Sequence, residues 1–128
     1  MSRTARLGVI DLGTNTFHLL LVEANEEDWQ FLYRKRIFVN LAEIGIEQIS
    51  QQAMDRGLDA LREFKTAINS HGVHQVRVVG TAALRRAHNA ADFLERVKTQ
   101  TGFDVQVISG DQEAAWIARG VLSAVPRS

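Results

Sequence analysis

Residues 8–23 of this chain read Gly8-Val-Ile-Asp-Leu-Gly-Thr-Asn-Thr-Phe-His-Leu-Leu-Leu-Val-Glu23. Apolar runs at 7–10 and 17–22 are typical of β-strands, and a polar turn at 12–16 joins them. Gly13 permits a close approach to the main chain, and the N–H groups of such a turn form a concavity that suits a phosphate oxygen. The stretch therefore predicts a strand–turn–strand unit with an anion site. A plain β-hairpin with a polar turn is the alternative interpretation.

The side chains of this turn add oxygen and amide groups to the predicted anion site. Thr14 and Thr16 supply hydroxyls, Asn15 supplies an amide, and the carboxylate of Asp11 ends the first apolar run. Hard divalent cations take oxygen ligands and bridge to phosphate. Asp11 is therefore a candidate ligand for a divalent cation beside a bound phosphate.

The composition is that of a single domain without a strong charge preference. The chain has 128 residues, with 15 basic and 15 acidic side chains, so net charge gives no argument for DNA, RNA or an anionic membrane as partner. It has no cysteine, which excludes disulfides and thiolate metal sites. No apolar stretch approaches the ~20 residues of a membrane span, and no signal sequence is recognisable. These features predict a cytoplasmic protein.

Hydrophobic periodicity predicts the remaining elements. A third strand covers 30–39, and Ser50 caps a helix that ends at Gly72. Charged residues of that helix, Arg56 among them, are expected on a solvated face. Thr81 and Asn89 are predicted to cap the two helices that follow, with Asp92 completing a capping box for the second. The later elements are a strand at 75–79, helices at 82–88 and 89–102, a strand at 105–108 and a last helix from 109.

The resulting order is β-β-β-α-β-α-β-α, which predicts an α/β fold with a mixed sheet. Helical crossovers make the later strands parallel to a neighbour, and ligands gather at the carboxyl ends of parallel strands. The loops 11–16, 80–85 and 109–113 are therefore expected to lie together.

The second of these loops offers further phosphate ligands. Thr81 stands at a helix start, where free N–H groups favour an anion, and Arg85 follows one turn later as a possible bidentate donor. A capping threonine and a surface arginine are the alternative interpretation.

Glu113 in the third loop is a candidate general base for a water molecule beside a bound phosphate. A metal ion that shares the charge of the phosphoryl oxygens would assist that chemistry. An acid that merely complements the helix dipole is the alternative.

Three segments resemble the exopolyphosphatase/guanosine pentaphosphate phosphohydrolase family in order and spacing. They are Val9-Ile-Asp-Leu-Gly-Thr-Asn-Thr-Phe-His-Leu-Leu20, Val79-Gly-Thr-Ala-Ala-Leu-Arg-Arg-Ala-His-Asn-Ala90 and Val107-Ile-Ser-Gly-Asp-Gln-Glu-Ala-Ala-Trp-Ile-Ala-Arg-Gly-Val121. The resemblance implies a ribonuclease H-like domain of the actin, hexokinase and acetate kinase superfamily. It also implies Mg²⁺-dependent release of orthophosphate from inorganic polyphosphate, or alternatively from guanosine pentaphosphate.

The resemblance assigns roles residue by residue. Residues 13–16 match the first phosphate-binding loop, Asp11 the acid associated with the metal, and Arg85 the arginine expected to contact substrate phosphate. Glu113 matches the glutamate that activates water, and it is the second expected ligand of the metal. Asn40-Leu-Ala-Glu-Ile44 departs from the Arg-Leu-Gly-Glu-Gly pattern of many members, because it lacks the arginine and both glycines.

The second glycine-rich phosphate loop of the family is not in this sequence. We therefore expect residues 1–128 to be the N-terminal domain of such an enzyme, with half of a catalytic cleft and little or no activity alone. A homodimer formed through the face that meets the missing second domain is a further hypothesis. A non-catalytic phosphate- or nucleotide-binding module is the alternative, and an ATP-dependent kinase relative ranks below it.

Overall fold

A computed structural model describes residues 4–112 of the chain. The elements are β1 (Ala5–Leu12), β2 (Thr16–Ala24), β3 (Trp29–Phe38), α1 (Gln51–Ser70), β4 (Gln75–Gly80), α2 (Ala82–Arg86), α3 (Ala90–Thr101) and β5 (Val105–Val107). Residues 110–112 begin a further helix, and the rest of the predicted last helix lies outside the described residues. Within the described residues, no helix combines the length and apolar content needed to cross a bilayer.

The five strands form one mixed sheet in the order β3-β2-β1-β4-β5. The first three strands pair antiparallel, and β4 and β5 add in parallel to β1 and to each other. The α/β architecture predicted from the element order is therefore confirmed. Because α1 and the α2–α3 segment supply the two crossovers, the ends of β1, β4 and β5 meet at one edge of the sheet.

The two faces of the sheet differ in what they bury. The first face packs against α1 and α3, and its largest fully buried strand residues are Ile10, Leu12, Phe17, Leu19 and Leu21. The second face presents the alternate residues of the same strands, among them Val9, Asp11, His18, Leu20 and Val79. Asp11 and His18, both buried, are the polar residues at the centre of this second face.

Helix α1 forms as its sequence pattern predicts. The Ser50 side chain accepts a hydrogen bond from the Ala53 N–H at 3.1 Å, which satisfies one free donor of the first turn. Gly72, with φ of +63°, follows the last turn in a conformation that glycine adopts at low cost. The apolar residues of the predicted stripe are all buried: Met54, Leu58, Leu61, Phe64 and Ile68.

The two predicted side-chain caps at Thr81 and Asn89 are wrong. Both residues hold the N-cap position, but neither side chain bonds to its helix. The Thr81 hydroxyl instead donates to the Leu12 carbonyl at 3.4 Å. The Asn89 amide accepts from the Ile49 N–H at 2.9 Å and donates to the Ile49 carbonyl at 2.8 Å. Tertiary contacts take these side chains away from local capping, and α2 ends at Arg86, before the predicted residue 88.

Gly57 in α1 marks the close approach of α1 to α3 and the sheet. A Cβ atom there would lie 2.8 Å from Phe93 Cζ and 3.3 Å from Phe17 Cε2, and both rings are fully buried. Gly57→Ala should therefore destabilise the domain by about 1–2 kcal/mol, because overpacking outweighs the ~1 kcal/mol gain in helix propensity. Urea unfolding measures this change.

The matched control for Gly57→Ala is the double variant with Phe93→Leu. Leucine removes the ring atoms that the new methyl group meets, so the double variant should lose less stability than the sum of the two single variants. A Gly57→Ala domain as stable as wild type would show that this packing is not tight.

Candidate functional site

The candidate site lies at the carboxyl edge of the three parallel strands. Leu12 of β1 is aligned with Gly80 of β4, which is aligned with Val107 of β5. The Thr81 N–H donates to the Leu12 carbonyl at 3.3 Å, and the Ile108 N–H donates to the Gly80 carbonyl at 3.0 Å. The structure thus places the starts of the three predicted loops next to one another.

The first loop is a tight turn whose carbonyl groups are engaged on one side. The Asn15 carbonyl accepts hydrogen bonds from the N–H groups of Val39 and Asn40, both at 2.8 Å. The Thr14 carbonyl accepts from the Leu41 N–H at 2.9 Å, and the Gly13 N–H donates to the Thr16 carbonyl at 3.2 Å. Within residues 4–112, the N–H groups of Thr14 and Asn15 donate to no protein group. These two donors remain for an anion at the mouth of the turn.

Asp11 stands directly behind the turn, on the second face of the sheet. Its side chain is 5% exposed, and its Cα is aligned with those of His18 on β2 and Val79 on β4. His18 is 2% exposed. The sequence predicts no role for His18, although its alternation in phase with Leu20 places it on one face of the strand. The structure adds that this imidazole is the cross-strand neighbour of the candidate metal ligand.

The donor set at the turn fits a hard divalent cation. Asp11 offers a carboxylate, and Thr14 and Thr16 place hydroxyl groups on the adjoining turn. No cluster of three or more His, Asp or Glu side chains positioned for a metal occurs within the described range 4–112. Mg²⁺ usually keeps several waters and binds through one or two carboxylates plus substrate phosphate, so a single carboxylate here is compatible with it.

Arg85 connects the second loop to the third. Its Nη1 donates to the Ile108 carbonyl at 2.8 Å, and the residue is otherwise exposed on α2. Among residues 4–112 it forms no ion pair. The neighbouring Thr81 is buried, and its hydroxyl is already bonded to Leu12.

The third loop begins with a capping box that is not among the predicted features. The Gln112 N–H donates to Ser109 Oγ at 3.1 Å, and the Ser109 N–H donates to Gln112 Oε1 at 2.9 Å. The signal was present as Ser-x-x-Gln at 109–112. Glu113, the predicted general base and second metal ligand, lies outside the described residues.

Arg56 binds the backbone segment that holds the first turn. The prediction that this side chain lies on a solvated helix face is therefore wrong. Its Nε donates to the Val39 carbonyl at 2.8 Å, and its Nη2 donates to the Asn40 carbonyl at 3.3 Å. The N–H groups of Val39 and Asn40 in turn hold the Asn15 carbonyl. One side chain of α1 therefore stabilises the peptide groups that orient the first loop, including Asn40 at φ of +54°.

The Arg56 contact extends to Glu43, whose pKa it helps to lower. The Glu43 carboxylate accepts one hydrogen bond from the Ser50 hydroxyl and another from Arg56 Nη2 at 2.8 Å. The bond from Ser50 is the larger cause of the lowered pKa. Because the pKa of Glu43 is lower in the folded protein than its ordinary value of 4.5, the ionised carboxylate stabilises the fold at pH values above 4.5. That contribution to the free energy of unfolding is lost as the pH falls through the folded-state pKa.

We therefore expect Glu43→Gln to flatten the acid branch of the stability profile. The wild-type melting temperature should fall more steeply than that of the variant once pH drops below 4.5. Melting curves across an acid pH series measure this difference. Glu26→Gln, in the exposed β2–β3 turn, is the control and should follow the wild-type profile. Equal profiles for wild type and Glu43→Gln would contradict the expectation.

Comparison with known proteins finds relatives that are phosphatases of one family. A sequence model described as the Ppx/GppA phosphatase family matches residues 21–128. An exopolyphosphatase from Cytophaga hutchinsonii is 41% identical, with a TM-score of 0.88 over 94% of this chain and 39% of its own. A Ppx/GppA family member from Aquifex aeolicus is 26% identical, with a TM-score of 0.88 over 96% of this chain and 41% of its own.

These comparisons confirm the predicted ribonuclease H-like fold of the actin, hexokinase and acetate kinase superfamily. A nucleoside triphosphate hydrolase from Neospora caninum, 13% identical with a TM-score of 0.53, shares the fold alone. This chain covers 41% of the length of the Aquifex aeolicus protein and 39% of the length of the Cytophaga hutchinsonii protein, which is about two fifths of each.

Proposed function

Because this chain belongs to the Ppx/GppA phosphatase family, we propose that it is the N-terminal domain of a phosphoanhydride hydrolase. Its substrate is inorganic polyphosphate, from whose end it releases orthophosphate. The similar protein from Cytophaga hutchinsonii is an exopolyphosphatase, which supports this choice. Residues 1–128 form one domain, and a second domain completes the cleft. Guanosine pentaphosphate is the alternative substrate.

The observation that carries the proposal is the orientation of the first turn. Residues 39–41 bind the carbonyl groups of Thr14 and Asn15. In a planar trans peptide the N–H of the next residue points the opposite way, so the Asn15 N–H is directed away from residues 39–41. The buried carboxylate of Asp11 stands behind the turn, and Arg85 lies at the next strand end. Anion donors, a cation ligand and an arginine at one sheet edge are the groups that phosphoryl transfer uses.

Each residue has a defined part in the proposed reaction. Asp11 holds Mg²⁺, which when bound neutralises charge on the phosphoryl oxygens. Residues 13–16 and Arg85 hold the terminal phosphate, and Thr81 keeps their two loops in contact through Leu12. Glu113 takes a proton from water as the water oxygen bonds to the terminal phosphorus. The bond from that phosphorus to its bridging oxygen breaks, which leaves orthophosphate and a chain shorter by one phosphate.

Two separate measurements on the purified chain test this proposal. Sodium tripolyphosphate is titrated with and without Mg²⁺, and binding and orthophosphate release are followed independently. Saturable, Mg²⁺-dependent binding with little or no release is the result expected of half a cleft. Release at the rate of a complete family member would overturn the half-cleft interpretation, and absence of binding would overturn the assigned phosphate site. The predicted cytoplasmic location and the possible homodimer stay predictions.

A further inference from the structure

We propose that Arg34 and Arg36 form an outer binding track for long-chain polyphosphate on the second face of β3. The inference rests on the proposed function and extends it, because it concerns the part of a long substrate that lies beyond the terminal phosphates. Arg34-Lys-Arg36 is a basic run that the candidate site does not use. Side chains alternate along a strand, so Arg34 and Arg36 lie on the second face of the sheet and Lys35 lies on the first.

Cross-strand register connects this track to the candidate site. Arg36 is aligned with His18 on β2, and His18 is aligned with Asp11 on β1. Arg34 belongs to the next row, where it is aligned with Leu20. At the usual spacing of about 4.8 Å between strands, the Arg36 Cα lies roughly 10 Å from that of Asp11. The first arginine of the track, Arg36, is therefore close enough to the candidate site for one substrate chain to reach both.

The charges of the two faces explain why the track is available to an anion. Lys35 points to the first face and bonds to Glu63 of α1, which raises its pKa. Arg34 and Arg36 form no ion pair with any residue in the described range, and both are exposed. The strands carry two carboxylates within that range: Asp11 in the site, and Glu23 paired with Arg6 at 2.9 Å. The outer part of the second face is therefore basic.

The edge position of β3 leaves room for an extended ligand. No strand flanks β3 on its outer side in the described sheet, and Arg34 is held over the Phe31 ring at 4.8 Å. This cation–π contact restricts the side chain while leaving its N–H edges for phosphate. Polyphosphate presents a negative charge on every unit. A chain that leaves the turn at Thr16, which is aligned with the exposed Phe38 of β3, can follow the edge of that strand and bind both arginines at once.

The test compares long-chain polyphosphate with tripolyphosphate on the 128-residue chain. The double variant Arg34→Gln/Arg36→Gln should bind long-chain polyphosphate about 10-fold or more weakly, with tripolyphosphate affinity unchanged within about twofold. Counterion release predicts that the slope of log K against log salt falls by about 1–2 for the long chain. Lys35→Gln is the matched control: it removes the same charge from the same strand, on the opposite face, and should retain wild-type binding.

Each outcome of this comparison decides the inference. Equal long-chain affinity in wild type and the double variant would overturn the track while the proposed function stands. A selective loss of long-chain binding in a chain that never binds tripolyphosphate would support the track and count against the proposed terminal site. Single-stranded RNA that competes with long-chain polyphosphate at equal affinity, through the same two arginines, would assign the surface to nucleic acid and overturn the proposal.

Discussion

Asp11→Asn should lower Mg²⁺-dependent orthophosphate release by about 100-fold or more in the proposed two-domain enzyme. Asparagine keeps the shape of the side chain but removes the negative charge at the end of β1, directly behind the phosphate turn. The expected defect is therefore weaker Mg²⁺ binding together with a slower reaction. Initial rates across an Mg²⁺ series, with a melting curve of each protein, measure both quantities.

Two comparisons make the Asp11 result specific. Asp104→Asn removes an exposed carboxylate that is paired with Lys98, far from the turn, and should leave the rate unchanged. Glu113→Gln should abolish turnover with the fold intact, and saturating Mg²⁺ should not rescue it, because a general base contributes about 10²–10⁴-fold. An Asp11→Asn enzyme with a wild-type rate and wild-type Mg²⁺ dependence would remove Asp11 from the proposed metal site.

Phe17→Ala should destabilise the domain by about 3–5 kcal/mol. Phe17 is the second residue of β2, fully buried on the first face, and its ring lies against the site of Gly57 in α1. Truncation leaves a cavity between the sheet and α1, immediately below the phosphate turn. Since small domains are stable by about 5–15 kcal/mol, urea unfolding should show a loss of about a fifth or more of the total.

Phe38→Ala is the matched control for Phe17→Ala. Phe38 ends the neighbouring strand and its Cα is aligned with that of Thr16, but its side chain is 69% exposed. The same loss of a phenyl group should therefore change stability by no more than about 0.5 kcal/mol. Similar losses in the two variants would mean that burial at Phe17 does not govern the stability of this part of the sheet.

The secondary structure was largely predictable because its signals are local. Apolar spacing in 51–70 sets one face of a helix, and the run around Asp11 sets two strands and a turn. The crossovers then require parallel pairing, which brings the ends of β1, β4 and β5 to one edge. The convergence of the loops followed from the order of the elements, without knowledge of any side-chain contact.

Side-chain partners distant in sequence were not predictable in the same way. Thr81 and Asn89 are good capping residues by type, yet their polar atoms bond to Leu12 and Ile49 instead. Arg56 has the periodicity of a solvated helix face, yet it binds the carbonyls of residues 39 and 40. A polar atom bonds to whichever group the fold brings within about 3 Å, and that neighbour depends on the packing of separate elements.

The sequence by itself determined the elements, their order and the residue types at the phosphate turn, because periodicity and turn chemistry act over a few neighbouring residues. Only the tertiary structure decided which way the turn presents its peptide groups, which residue lies opposite Asp11, and that Arg34 and Arg36 share its face while Lys35 does not. Those properties depend on strand register and on contacts between segments distant in sequence. Both are determined by the packing of separate elements, so local sequence patterns do not predict them.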